Sequence, residues 1–320
     1  MDRMMVCYSF YQSDLKPRPD LLRQLVRSVE SLRTHNNRIP VSVFLYSSVP
    51  ELSTALEPYG VEIHNQGSYQ RRIAMYHSLG SEVLSEYPIL HRFLNFPEVD
   101  AADVTRALLV DCDTFFFGDV ELMFSKYSRA DCYAREESHC KRSSLGYDPV
   151  FIDEDSISDL GKAELIKATP PFNAGVVLFN AKVWNKLEFP VVFLSYVWRF
   201  LIWMAMNPVT DLMGKYREGF GVQSLRDRFG DLVTDDARCS SLAYPSASRW
   251  ILDEVALWFT LGHVQGLAYE DFDSRDVLKN GEFSKGDLPT CDSIVCHYFS
   301  NNVKYFDEWV NNSLDRKRMR

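Results

Sequence analysis

An α/β fold built on an open, mostly parallel sheet with flanking helices is the class this sequence predicts, and three observations predict it. Residues 4–64 alternate β-prone and helix-patterned runs, the order that makes parallel strands with crossover helices. Residues 106–119, RALLVDCDTFFFGD, form an apolar run broken sharply by Asp111 and Asp113, as a buried strand does where it meets a ligand. The chain has 320 residues, 46% of them hydrophobic and 25% charged, an ordinary soluble composition with core enough for one large α/β domain or two small ones.

Met4 to Phe10 is an apolar first strand, and Leu21 to Leu32 carries Leu21, Leu22, Leu25, Val26, Val29 and Leu32 at helical spacing. Val41 to Tyr46 reads as a second strand, Val49 to Tyr59 as a short helix stopped at Gly60, and Val61 to His64 as a third strand. Tyr69 to Phe96 is helical in pattern, broken at Pro88. After the acidic strand, residues 131–168 are polar, rich in Ser and Asp and poorly periodic; they read as a long, partly mobile excursion over the site. Pro170 to Gly175 then opens a strand over Val176 to Phe179.

Phe189 to Met206 is eighteen mostly apolar residues, just short of the ~20 that span a bilayer. Arg199 in its middle and Pro190 at its start favour a buried or partner-binding helix, with membrane-surface contact through 189–206 as the second reading. Residues 211–248 are mixed. Trp250 to Gly262 is a helix, Ser293 to Phe299 a last short strand, and Trp309 to Arg320 a short helix with a basic end. The division expected is a single domain over 1–320, in two parts at 1–130 and 131–306 with a tail helix at 307–320.

A net charge of −9 argues against nucleic acid as the main partner. Seven cysteines at irregular spacing, with no Cys-x-x-Cys pair, indicate neither a disulfide framework nor a zinc module. The N-terminus enters a strand pattern without a signal-peptide region, so the expected location is cytoplasmic. Asn311-Asn312-Ser313 matches a glycosylation sequon, which without a secretory signal is read as accidental.

The chemistry concentrates around Asp111 and Asp113. Carboxylates at the end of a buried strand need a partner or a cation, and hard oxygen ligands suit Mg²⁺ or Mn²⁺ with a phosphate-bearing ligand beyond. The alternative is a charged turn ending a strand. Asp153-Glu154-Asp155 and Asp271-Phe272-Asp273 have the same spacing but lack a preceding strand pattern, and read as solvated turns. Arg92 could pair an acid or a phosphate, or lie on the surface. Asn173-Ala174-Gly175 could let backbone approach a ligand closely, or simply turn into a strand. Asp253 and Glu254 occupy a first helical turn, where dipole capping competes with catalysis. His297 is a structural histidine or a metal ligand, and Lys304 follows within a loop's reach.

Taken together, LLVDCDTFFFGDV, PFNAGVVLFNAKVW, Asp253-Glu254 and HYFSNNVK resemble the GT-A fold nucleotide-sugar glycosyltransferases, nearest to family 8, the glycogenin and lipopolysaccharide galactosyltransferase group. The resemblance runs over about residues 4–306 and is dense only at the motifs. It implies a Rossmann-like sheet, Mn²⁺ or Mg²⁺, a UDP-sugar donor and an acceptor of unknown class, with 1–130 as the nucleotide-binding half and 131–306 as the donor-sugar and acceptor half. Asp111 would contact ribose and metal, with Asp113 and His297 as the other metal ligands. Lys304 and Arg92 would contact the diphosphate; Asn173, Ala174 and Gly175 would border the donor sugar, and Asp253 would sit beside the transferred sugar. Asp253, Asn173 and Lys304 are the catalytic candidates, Glu254 a donor-site residue, and Cys7, Tyr8 and Ser9 would flank the base. Transfer with retention is implied. The chain departs from the family in carrying Glu254 where Gln is usual, Ser300 where glycine is usual, Lys304 one residue late, and a long spacing from Asn173 to Asp253.

Two other readings stay open. VDCDTF shares features with the haloacid-dehalogenase phosphatase motif, but that motif wants threonine two residues after the second Asp, whereas Thr114 follows at once, and it normally lies near a domain's start. The other is a GT-A fold that binds nucleotide-sugar or glycan without turnover.

Overall fold

The apolar runs at 4–10, 41–45 and 106–110 are buried along most of their length, as strands covered on both faces are, and they lie side by side within a seven-stranded sheet. In the computed structural model the described residues are 3–11, 19–46, 49–65, 92–93, 103–136, 172–180, 183, 189–194, 196–197, 252–264, 266–278 and 293–297. They contain β1 (Met4–Phe10), α1 (Pro19–His35), β2 (Val41–Leu45), α2 (Pro50–Leu56), a 3₁₀ turn (Glu57–Tyr59), β3 (Glu62–Asn65), β4 (Arg106–Val110) and β5 (Thr114–Phe116). Then come α3 (Val120–Lys126), β6 (Cys132–Glu136), β7 (Phe172–Asn180), α4 (Leu252–His263), β8 (Tyr269–Asp271), β9 (Val277–Leu278) and β10 (Val295–His297).

The large sheet has the order β3-β2-β1-β4-β7-β6-β8. The pairs β1/β2, β1/β4, β2/β3 and β6/β8 are parallel, and β7 runs antiparallel to both its neighbours. Only β7 therefore opposes the common direction. The predicted class, a mostly parallel sheet with helices on it, is the one observed. The chain moves outward from β1 to β3, then returns to β4 on the other side of β1. Ligands in open α/β sheets bind at such a reversal, beyond the carboxyl ends of the strands.

Helix α1 explains how the sheet is covered. Its buried side is Gln24, Leu25, Ser28, Val29, Ser31 and Leu32, a stripe at helical spacing. The two serines bond into the sheets: the Tyr8 hydroxyl and Ser28 Oγ lie 2.8 Å apart, and Phe116 donates its N–H to Ser31 Oγ at 3.0 Å. Gly60 closes the 3₁₀ turn at φ 59°, where a side chain would be strained. Asp119 caps α3, accepting from the Glu121 N–H at 3.0 Å.

Several elements differ from expectation. Strand β7 begins at Phe172, so Asn173-Ala174-Gly175 lies inside the strand instead of leading into it. The polar stretch from residue 131 begins as a sheet strand, β6, whose Arg135 is buried against the Phe272 carbonyl at 3.1 Å. Asp271 is exposed, as expected, but lies in a strand instead of a turn. It ends β8 and accepts the Glu136 N–H at 2.5 Å, whereas Asp273 does form a turn with Arg275, at 2.9 Å. The expected helix over 69–96 apart from 92–93, the excursion beyond 136, Asp153-Glu154-Asp155, 211–248, the sequon, Lys304 and the tail helix lie outside the described residues.

Residues 189–194 are helical, and Phe189, Phe193, Leu194, Tyr196 and Val197 are buried. Phe189 meets Phe179 of β7 with ring centres 6.3 Å apart, and Phe193 meets Phe93 edge-on at 5.6 Å. The start of the apolar segment thus packs on the sheet. Among the described residues no helix is long and apolar enough to cross a membrane.

Candidate functional site

Strand β4 ends at Val110, and the next three residues, Asp111-Cys112-Asp113, form the corner from which the chain enters β5 in a second sheet of order β5-β10-β9. The corner has its own bonds. Asp111 donates its N–H to the Gly175 carbonyl at 2.9 Å, Thr114 donates to the Asp111 carbonyl at 3.1 Å, and the Cys112 thiol lies 3.7 Å from the Ser9 carbonyl at the end of β1. Strand β10 pairs antiparallel with β5, setting His297 opposite Thr114. Residues far apart in sequence are thus brought to one point by sheet register.

At that point His297 Nε2 lies 3.2 Å from Asp111 Oδ2 and 3.4 Å from Asp113 Oδ1. The three residues offer ligand atoms that all lie within 4.8 Å of one another. Two carboxylates and an imidazole on three sides suit a divalent ion that keeps open positions for phosphate or water, and the mixed oxygen and nitrogen set suits Mn²⁺ well. The residues present therefore fit the metal that the motif implies. His297, a lone histidine to sequence reading, is buried beside both acids.

On the far side of Asp111 stands Arg92. Its Nη1 donates to Asp111 Oδ1, and its Nη2 is 2.7 Å from Asp253 Oδ2. Asp253 is 0% exposed, and its contact with Arg92 is an ion pair without the angles of a hydrogen bond. The site is therefore a charge chain, Asp253–Arg92–Asp111–His297–Asp113. Arg92 sits between two acids rather than on the surface.

The charges respond accordingly. Burial works against the Arg92 charge, but Asp111, Asp253 and Glu254 outweigh it and hold the guanidinium firmly protonated. Asp111, despite burial, is held below the ordinary aspartate value by Arg92 and His297. Burial pushes Asp113 up, against His297 and with the help of Asp111. Asp253 is also pushed up by burial, which Arg92 only partly offsets. Burial disfavours the His297 cation, but Asp113 and Asp111 raise it to about 10. Burial and the flanking carboxylates lift the Cys112 thiol well above its ordinary value, so that thiol is not a nucleophile at neutral pH.

The neighbouring acid of α4, Glu254, turns to β7. Its Oε1 accepts from Asn173 Nδ2 at 3.3 Å and from the Ala174 N–H at 3.1 Å, while Asn173 Oδ1 accepts the Gly175 N–H at 3.0 Å. The two acids in the first turn of α4 therefore bind Arg92 and β7 as well as suiting the helix dipole. Cys7 and Tyr8 are buried, the Tyr8 hydroxyl engaged by Ser28, and Ser9 meets the corner through its carbonyl. The clamp of Glu254 on β7 is what sequence reasoning missed. The only hint was an Asn ahead of two small residues.

Among solved structures, the chain is similar to the WbbM bifunctional glycosyltransferase, with a TM-score of 0.53 and 10% identity over 98% of this chain and 50% of that one. It is also similar to mouse xyloside xylosyltransferase 1, with a TM-score of 0.48 and 11% identity over 94% of this chain and 98% of that one. A third is the galactosyltransferase LgtC, with a TM-score of 0.45 and 11% identity over 97% of this chain and 96% of that one. No family model and no curated protein matches the chain. The shared fold is the GT-A fold.

Proposed function

We propose that this chain is a metal-dependent glycosyltransferase that moves a sugar from a UDP-sugar to an acceptor with retention of anomeric configuration. The observation that carries the reading is the convergence of Asp111, Asp113 and His297 beyond β4, at the reversal of strand order in a sheet of the GT-A fold. A single catalytic domain over 1–320 and a cytoplasmic location belong to the same proposal. Surface contact with membrane through 189–206 is a separate question for liposome flotation.

Asp111, Asp113 and His297 would hold Mn²⁺ or Mg²⁺, which supplies positive charge where the departing β-phosphate gains negative charge. Arg92, held between Asp111 and Asp253 before reaction, adds cationic charge on the diphosphate side, and Lys304 would add a second cation there. Asn173, Ala174 and Gly175 border the donor sugar on a strand that Glu254 holds still, and Asp253 lies behind Arg92. Cys7, Tyr8 and Ser9 flank the base side. The bond from the anomeric carbon to the β-phosphate oxygen breaks, and the acceptor oxygen bonds to that carbon on the same face. The acceptor proton passes to the departing phosphate, so no separate strong base is needed.

One observation favours a second reading, nucleotide-sugar binding without turnover: Asp253, the acid assigned beside the transferred sugar, is 0% exposed. Thermal-shift screening with Mn²⁺ against UDP, GDP, CMP and their sugars tests the first reading, since ligands that bind the native state raise its melting temperature. A metal-dependent rise with UDP, largest for one UDP-sugar and lost in Asp113→Ala, is expected. No rise with any nucleotide refutes the proposal. A rise with neither hydrolysis nor transfer across a broad acceptor panel selects the second reading.

A further inference from the structure

Asn173-Ala174-Gly175 was assigned above to the donor sugar, but Gly175 has neighbours of another kind. A Cβ built on Gly175 would lie 2.0 Å from His297 Cε1, 2.2 Å from Nδ1 and 2.3 Å from Nε2. Carbon atoms cannot approach so closely, so the imidazole lies flat against the glycine backbone in space that any other residue would fill. The same glycine accepts the Asp111 N–H through its carbonyl at 2.9 Å. Its own N–H is fixed by Asn173 Oδ1 at 3.0 Å, and Asn173 is bonded in turn by Glu254. One residue thus touches two of the three candidate ligands, which lie 186 positions apart (297 − 111).

We infer that Gly175 is a positioning residue for the metal centre: its carbonyl sets the Asp111 backbone, and its missing side chain provides the seat of the His297 ring. The inference rests on the metal-binding reading proposed above. It differs from a sugar-contact role because it acts on metal affinity before any donor is bound. Neither its φ nor a turn requires glycine here, since Gly175 lies inside β7 and its φ is not positive. The close approach of the ring is the requirement.

The test is Mn²⁺ binding to the full chain, without nucleotide, followed by electron paramagnetic resonance for wild type, Gly175→Ala, His297→Ala, the double variant and Asp113→Ala. Displacing a group that orients a ligand costs about 10–100-fold in metal affinity. Gly175→Ala is expected to lose about that much. In the His297→Ala background, where the added methyl has the ring's space, Gly175→Ala should change affinity less than about threefold. Thermal unfolding covers the case in which Gly175→Ala alone does not fold: the double variant should then fold, because its cavity accepts the methyl. Full Mn²⁺ affinity in Gly175→Ala overturns the inference, as does a double variant as damaged as the sum of its parts. If Asp113→Ala binds Mn²⁺ as wild type does, the metal site itself is wrong; if Asp113→Ala fails and Gly175→Ala does not, only the seat is wrong.

Discussion

Replacing Arg92 by Met tests the charge chain at its most buried link. Arg92 faces two carboxylates whose surroundings differ. The Asp111 side chain is 32% exposed and also meets His297, so it can rehydrate when the guanidinium is gone. Asp253 is 0% exposed, and Arg92 is its cation among the described residues. The cost therefore falls on Asp253. Removing one partner of a buried ion pair costs about 3–5 kcal/mol. At about 2 °C per kcal/mol for a protein of this size, the melting temperature should fall by about 6–10 °C.

The sign of the pH dependence follows from burial, which holds Asp253 above the ordinary aspartate value even with Arg92 present. An acid raised in the native state binds its proton more tightly there. It therefore favours folding at low pH and opposes it as pH climbs from the unfolded value to the folded one. Arg92→Met raises Asp253 further, so the deficit should be smallest near pH 4 and grow towards neutrality. Urea unfolding at several pH values measures it. Adding Asp253→Asn should restore about 2 kcal/mol or more at pH 7, because no charge is then stranded. An Arg92→Met variant within about 1 kcal/mol of wild type at pH 7, or no rescue by Asp253→Asn, would refute the reasoning.

His297 carries a proton in the metal-free protein because Asp113 and Asp111 raise it to about 10. Mn²⁺ affinity should therefore increase with pH from 6 to 9, with about one proton released per ion, seen as a buffer-dependent heat in calorimetry. By the same linkage, the contribution of His297 to metal-free stability is complete below about pH 6.5 and is lost as pH rises through about 10. Tyr8→Phe deletes a buried hydroxyl 2.8 Å from Ser28 Oγ. It should lower stability by about 1–2 kcal/mol in urea unfolding, since the Ser28 hydroxyl on α1 loses this partner; a variant as stable as wild type would contradict this. Glu254→Gln keeps an oxygen for the Ala174 N–H and should cost under about 1 kcal/mol, whereas Glu254→Ala should cost about 1–3 kcal/mol in denaturant unfolding.

Legibility in the sequence followed how local each cause was. Strand β1 is observed over Met4–Phe10 as read, because its apolar run is its own reason to be buried. The α1 stripe was visible from Leu21 to Leu32 for the same reason, and the end residues that extend the helix to Pro19–His35 add nothing to the apolar stripe. Strand β6 was missed because Arg135 and Glu136 look solvated until Asp271, 135 residues after Glu136, accepts the Glu136 N–H. The early start of β7 was hidden likewise, since Glu254 lies 81 positions from the Asn173 it holds. Asp111 and Asp113 stood out because charge interrupted a strand, whereas His297 rose above an ordinary histidine only through family resemblance. Its setting depends on register with β5, which no local pattern encodes.

The corner at Asp111-Cys112-Asp113 joins two sheets that, among the described residues, share no backbone ladder with each other. An ion held there would be tied to the large sheet by Asp111 and to the small one by His297, closing a loop of more than half the chain. Such a tie acts on the unfolded chain as a cross-link does, removing conformations that only a distant contact can remove. On the metal-binding reading, the supply of divalent ion would govern how firmly the two sheets are fastened, so one small site would set both the chemistry at the strand ends and the tie between the sheets.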